Sequence, residues 1–187
     1  MKKLIITIIG LIALNVQAQE NNALYGGVEY SEFDGYNGFG YSLSYERNIF
    51  SYLAVEVSLS NLNGNNFPDG FNSGKYNPKD FHWFDKTRMI DLSVRPHITF
   101  INTQRNFLSF FVGIGIMRLE ADIFFSDQYV SERFHRISRS LGFQYKYITN
   151  SNYFIGLKVT QLQSLTAIHN AAVDYSTSGA IILGKRF

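Results

Sequence analysis

The 187-residue chain carries 17 Lys and Arg against 15 Asp and Glu, contains no cysteine, and is 16% aromatic but only 17% charged. That length suits one domain, and the absence of cysteine excludes disulfides, thiol catalysis, zinc-thiolate sites and lipid attachment through a thiol. An aromatic-rich, charge-poor composition with only three prolines is a β-rich profile.

The first element in chain order is a targeting segment. Lys2 and Lys3 form a positive start, Leu4 to Leu14 an apolar run, and Val16-Gln17-Ala18 a small-residue cleavage site. The run is well below the ~20 residues of a spanning helix, so residues 1–18 are expected to be a removable signal peptide and 19–187 the mature domain. Removing 1–18 takes away two lysines and no acid, which brings the basic count down to the acidic 15 and the formal net charge to zero. The basic pI therefore gives no reason to expect nucleic acid as a partner.

Past residue 22 the hydrophobic period is two, not 3.6, and predicts strands throughout. In 23–31, Leu24, Gly26, Val28 and Tyr30 alternate with Tyr25, Gly27, Glu29 and Ser31. A turn cluster at 34–38 leads to 39–46, with Phe39, Tyr41, Leu43 and Tyr45 on one face and Gly40, Ser42, Ser44 and Glu46 on the other. The third strand, 53–60, sets Leu53, Val55, Val57 and Leu59 against Ala54, Glu56, Ser58 and Ser60. A polar and aromatic stretch, 61–86, holds Pro68 and Pro78 and reads as a loop.

The fourth strand begins at Ile90, places Asp91, Ser93 and Arg95 on its polar face, and is predicted to end near Pro96. The fifth opposes Leu108, Phe110, Val112, Ile114 and Ile116 to Ser109, Phe111, Gly113, Gly115 and Met117. After a connection at 122–131, the sixth opposes Leu141, Phe143, Tyr145 and Tyr147 to Ser140, Gly142, Gln144 and Lys146. A tight turn at 149–152 precedes the seventh, with Tyr153, Ile155, Leu157 and Val159 against Phe154, Gly156, Lys158 and Thr160. A connection at about 162–171 leads to the last strand, where Gly179, Ile181, Leu183 and Phe187 alternate with Ser178, Ala180, Gly184 and Arg186, and Ile182 breaks the pattern.

Eight strands, with connections short after the second, fourth and sixth and longer or irregular after the third, fifth and seventh, the short one after the first being the exception, predict an all-β, antiparallel up-and-down barrel. Alternation alone leaves open a soluble lipocalin-like carrier with its faces exchanged. The polar face argues for lipid outside: it is mostly Gly, Ser, Ala and Thr, small residues that suit a narrow lumen, where a water-facing surface would be rich in Lys and Glu. Its few charges, Glu29, Glu46, Glu56 and Asp91 against Arg95, Lys146, Lys158 and Arg186, have both signs and are expected to form a paired network in the lumen, because an unpaired buried charge costs several kcal/mol. Tyr45, Tyr147, Tyr153 and Phe187 fall at the short-turn rim, as an interfacial girdle requires.

With these features the mature region resembles the eight-stranded outer-membrane barrels of the OmpA/OmpX type. The ending Ile181-Ile182-Leu183-Gly184-Lys185-Arg186-Phe187 is similar to the carboxy-terminal signal read by the barrel assembly machinery, although Lys185 departs from its apolar alternation and is expected to snorkel. The resemblance implies outer-membrane lipids and that machinery as partners, an outer-membrane location, and no cofactor. It implies no single activity, since such barrels serve many tasks.

An eight-stranded lumen is filled by side chains, so a general diffusion pore is not expected and function falls to the loops. Phe67, Phe71, Tyr76, Phe81, Trp83 and Phe84 are the candidate contacts for an extracellular ligand, or alternatively a cover folded over the barrel mouth. Asn63, Asn65 and Asp69 lack the spacing and terminal Glu of a calcium loop. A second reading is a lipid A-modifying enzyme using His169 with Ser164, or His135 with Ser131 or Ser138. The Ile168-His169-Asn170-Ala171 stretch is similar to the His segment of lipid A deacylase barrels, but the serine expected two positions after the histidine is absent. No metal or catalytic site is expected, and the four histidines are read as loop or rim residues.

Overall fold

Side chains that alternate between lipid-compatible and polar types can satisfy every backbone group only if the sheet closes on itself. In the computed structural model, which describes residues 22–33, 36–65, 83–125, 128–165 and 175–187, it does. The strands are β1 (Asn22–Phe33), β2 (Tyr36–Phe50), β3 (Leu53–Asn65), β4 (Trp83–Asn102), β5 (Asn106–Phe125), β6 (Gln128–Ile148), β7 (Tyr153–Ser164) and β8 (Tyr175–Arg186). Each pairs antiparallel with its sequence neighbour, and β1 closes on β8 from Ala23↔Arg186 to Phe33↔Ser176. The signal-peptide reading, residues 1–18, lies outside the described residues.

The alternation assigns the faces as expected. Val28, Phe39, Ile116, Leu157 and Leu183 are each about 60% exposed or more on the outer wall, while Ser31, Ser58, Glu56, Asp91 and Ser138 are fully buried inside. A continuous apolar exterior of this extent suits acyl chains and not water. Ile182, the residue out of pattern, points inward and packs with Tyr25, Ile148, Phe154 and Ala180.

The strands run further than the alternation suggested. β3 continues through Leu62 to Asn65 and β4 starts at Trp83, so the loop is shorter than 61–86. The stretch 122–131 is mostly the end of one ribbon, since the β5–β6 ladder runs unbroken to Phe125↔Gln128. Beyond the membrane both faces of a sheet meet polar surroundings, so period two fades although the ladder continues. Pro96 does not end β4: it pairs with Val55 on β3, and the β4–β5 ladder omits Arg95 and Pro96 and resumes at His97↔Phe111. Proline is tolerated where no ladder bond is demanded of its nitrogen.

The short-turn rim is built locally. Thr149 accepts from the Asn152 amide at 3.1 Å, and Asn152 takes φ 60°, a left-handed conformation that asparagine tolerates better than most residues. Between β6 and β7 the walls approach closely: a Cβ on Gly142 would collide with the Val159 carbonyl and the Phe111 ring.

Candidate functional site

The lumen holds two layers. Toward the end with the longer connections, Leu62, Met89, Met117, Leu119 and Leu162 form an apolar plug with Phe134 against it. Below it lies the charged layer, centred on Glu56 of β3. Its Oε1 accepts from Lys158 at 2.6 Å, from Arg95 at 3.3 Å and from the Ser44 hydroxyl at 3.3 Å. Its Oε2 accepts from the Tyr25 hydroxyl and lies 2.9 Å from His97 Nε2. Arg95 also reaches Asp91 at 3.4 Å, and Asp91 accepts from Ser138 at 2.6 Å. Lys146 donates to Glu46 at 2.5 Å. One carboxylate thus gathers groups from β1, β2, β4 and β7.

Aromatic faces line the same space. The Lys158 ammonium lies 5.2 Å from the Phe111 ring and 5.6 Å from Tyr25, Lys146 lies 5.1 Å from Tyr25, and Arg95 lies 5.5 Å from Phe111. A buried cation loses its water shell, and ring faces restore part of that electrostatic stabilisation. His97 stacks on Phe111 at 4.9 Å and places Nδ1 3.2 Å from Ser109.

Of the eight charges expected in the lumen, six therefore meet in this layer: Glu46, Glu56, Asp91, Arg95, Lys146 and Lys158. Glu29 faces the interior without an ion pair among the described residues. Arg186 stands at the short-turn mouth with its guanidinium over the Phe107 ring at 5.1 Å. Reading the histidines as loop or rim residues is corrected for His97, which is 1% exposed inside β4. The misplacement follows from ending that strand at Pro96, one residue before it. Tyr25, Phe111 and Phe154 occupy inward positions that the alternation marks, but nothing in sequence showed that their rings would face the cations.

Below the charged layer a cavity of about 420 Å³ opens among Asn48, Phe50, Ser51, Thr99, Asn102, Ile148 and Arg186, with Glu46, His97 and Lys146 at its inner end. Glu46, Glu56 and His97 could offer metal ligands within 4.8 Å of one another. Both carboxylates already hold an ammonium, so a metal ion would have to displace Lys146 or Lys158. Among the described residues the lumen is lined by an apolar layer and a charged layer, with a vestibule at one end.

Of the three catalytic pairings the structure separates one, His135 from Ser138; the side chain of Ser131 and all of His169 lie outside what it describes. His135 lies on the outer face of β6, whereas Ser138 is fully buried inside and bonded to Asp91. Ser164 faces inward, and His169 lies outside the described residues, as do Asp69, Phe67, Phe71, Tyr76 and Phe81. Trp83 and Phe84 open β4, where the ladder sets them opposite Phe124 and Ile123.

No protein-family model matches the sequence, and no curated protein matches it. Solved structures match by shape. Neisserial surface protein A aligns with a TM-score of 0.65 at 10% identity, covering 91% of this chain and 99% of that one. The fold is that of an outer-membrane barrel. A major outer membrane protein from Thermus thermophilus aligns at 0.59 with 10% identity, covering 88% and 99%, and Ail, the attachment invasion locus protein of Yersinia pestis, at 0.56 with 15% identity, covering 90% and 100%. At these identities the likeness is one of architecture, and the roles of residues rest on this chain's own geometry.

Proposed function

We propose that the protein is an integral outer-membrane β-barrel, exported by residues 1–18, that acts as a non-enzymatic surface protein through the connections at the rim opposite its short turns. The observation that carries this reading is the wall itself: apolar side chains at alternate positions of all eight strands face outward, while charges and small polar residues close the lumen. Aromatics mark the short-turn boundary, with Tyr45, Tyr145, Tyr147 and Tyr153 joined there by the stacked pair Phe50 and Tyr52. The strand β8, which seals the cylinder against β1 and is followed by Phe187, supports recognition by the barrel assembly machinery. For the ligand-facing role, the candidates are Phe67, Phe71, Tyr76, Phe81, Trp83 and Phe84, whose rings among Asn, Gly and Asp suit a glycan or protein surface. That two bearers of the fold are a surface protein and an attachment invasion locus protein agrees with such a task.

The test is heat-modifiability of the detergent-folded protein on a gel, with protease digestion of whole cells. A folded band that migrates faster than the boiled one, together with cleavage between β3 and β4, is the expected result. Recovery in the aqueous fraction without a gel shift would favour the lipocalin-like carrier instead.

A further inference from the structure

Above the apolar wall, on the end carrying the longer connections, a belt of polar side chains faces outward from β2 to β7. Tyr41 accepts from Asn61 at 2.6 Å, and Asn61 accepts from Arg88 at 2.9 Å. Arg88 lies 3.9 Å from Glu120, which is also bound by Arg118 and approached by Arg133 at 3.6 Å. Arg139 donates to Gln163 at 2.5 Å and 3.0 Å. These residues share the outer face with Ile114, Ile116 and Ile137.

The charge of this belt is unbalanced. Among the described outward residues of β4 to β6 three guanidinium groups, those of Arg88, Arg118 and Arg133, meet one carboxylate, Glu120, and Arg139, opposite Ile114, is bonded to Gln163. With Lys86 and the inward Arg136 added on one side and Asp85, Asp122 and Glu132 on the other, these strand ends carry six cations, Arg139 included, against four carboxylates and stay positive by formal count. On the opposite side, at the paired positions of β1 and β8, the outward residues are Glu32 and Thr177. The surplus is therefore one-sided, and half-exposed arginines held together by Glu120 repel one another unless further anions join them.

Position identifies those anions. On β5 the outward residues from Leu108 to Ile116 are all apolar, and Arg118 comes next. Nine residues at ~3.4 Å each, tilted about 40°, rise roughly 24 Å, which matches the ~25 Å apolar band of a membrane barrel. Arg118, Arg88 and Arg133 then stand at the depth of lipid headgroups, with acyl chains directly beneath. Guanidinium groups bind phosphate in bidentate fashion and hold it more strongly in this partly desolvated setting than in water. We infer that Arg88, Arg118 and Arg133, gathered around Glu120, form a docking site for the phosphate-bearing headgroup of a membrane lipid, seated on the outer wall of β4 to β6. The inference rests on the membrane-barrel reading above.

The experiment uses the full mature protein in phosphatidylcholine nanodiscs doped with bisphosphorylated lipid A or with the same lipid stripped of both phosphates, and counts retained lipid by native mass spectrometry. The wild type should retain the bisphosphorylated form at least tenfold more tightly. That preference should shrink in high salt and disappear in the Arg88→Gln/Arg118→Gln/Arg133→Gln variant, while the corresponding Lys variant keeps most of it. Should the triple Gln variant fail to fold, Arg133→Gln alone, a residue whose side chain is 66% exposed, must lower the preference severalfold. Equal retention of the two lipids, a preference unchanged in the variants, or full displacement by millimolar inorganic phosphate would overturn the inference. Failure of the wild type to insert into phosphatidylcholine at all would instead overturn the barrel reading on which it rests.

Discussion

Two levels of one lumen are filled by opposite chemistries. The plug of Leu62, Met89, Met117, Leu119 and Leu162 is held by dispersion and exclusion of water, so trimming it costs in proportion to the volume removed. The layer around Glu56 depends on complementary charge, and removing one partner leaves others buried without compensation. The apolar layer is therefore graded and the charged layer cooperative. The charged layer also specifies the register, because Glu56 can receive Tyr25, Ser44, Arg95 and Lys158 together only when β1, β2, β4 and β7 are correctly staggered.

The largest expected effect tests that contrast. Glu56→Gln should lower stability by about 3–5 kcal/mol, since Lys158 and Arg95 lose their shared counter-charge. Met117→Ala should cost about 2–3 kcal/mol from the lower part of the range for cavity-forming changes, because flexible Met89 can relax into the gap. Urea unfolding of the vesicle-inserted variants measures both. Adding Lys158→Met to Glu56→Gln should recover part of the loss, whereas the same addition to Met117→Ala should not. A Glu56→Gln cost below that of Met117→Ala would break the distinction between the layers.

The second contrast is between depths on the outer wall. Val112 sits mid-way along the apolar stretch of β5, beside Leu141, and Thr177 sits on β8 near the far boundary, beside Glu32. Val112→Arg should destabilise by about 2–4 kcal/mol and Thr177→Arg by about 0–1 kcal/mol, as the depth dependence of lipid-facing charges requires. Equal, small costs at the two positions would mean that water bathes the wall.

How much of this was legible in sequence depends on where period two holds. Between the two boundaries each strand has one lipid face and one lumen face, so alternation assigned Leu43 and Ser44, or Leu157 and Lys158, to opposite sides directly. Beyond the upper boundary that asymmetry ends, which is why the outer parts of β3 to β6 read as connections. His97 escaped because proline normally stops a strand, and only the ladder shows that Pro96 sits where its missing donor is not needed. The apolar plug escaped because Leu62 and Met89 lie at the edges of the stretch taken for a loop. The charges of the candidate site were visible as inward positions, but their pairing was not. Partners such as Lys146 and Glu46 stand 100 residues apart, and sequence separation carries no information on which of several cations a buried carboxylate meets.

The smallest expected effect bounds the charged layer from above. Glu29 pairs in the ladder with Gly40 and Ala180 and turns its carboxylate into the same lumen, yet makes no ion pair among the described residues. Its removal severs no short contact and leaves no cation newly exposed to a low-dielectric interior. Glu29→Gln removes a buried carboxylate that has no ion pair among the described residues, so it should leave unfolding free energy unchanged or raise it by about 1 kcal/mol. In a double-mutant cycle with Lys158→Met its coupling should be well below that of Glu56, since the interaction of two charges falls with distance and is screened by whatever polar groups lie between them. Coupling as large as that of Glu56 would place Glu29 inside the cooperative unit and move the upper limit of that unit from Asp91 toward the end of β1.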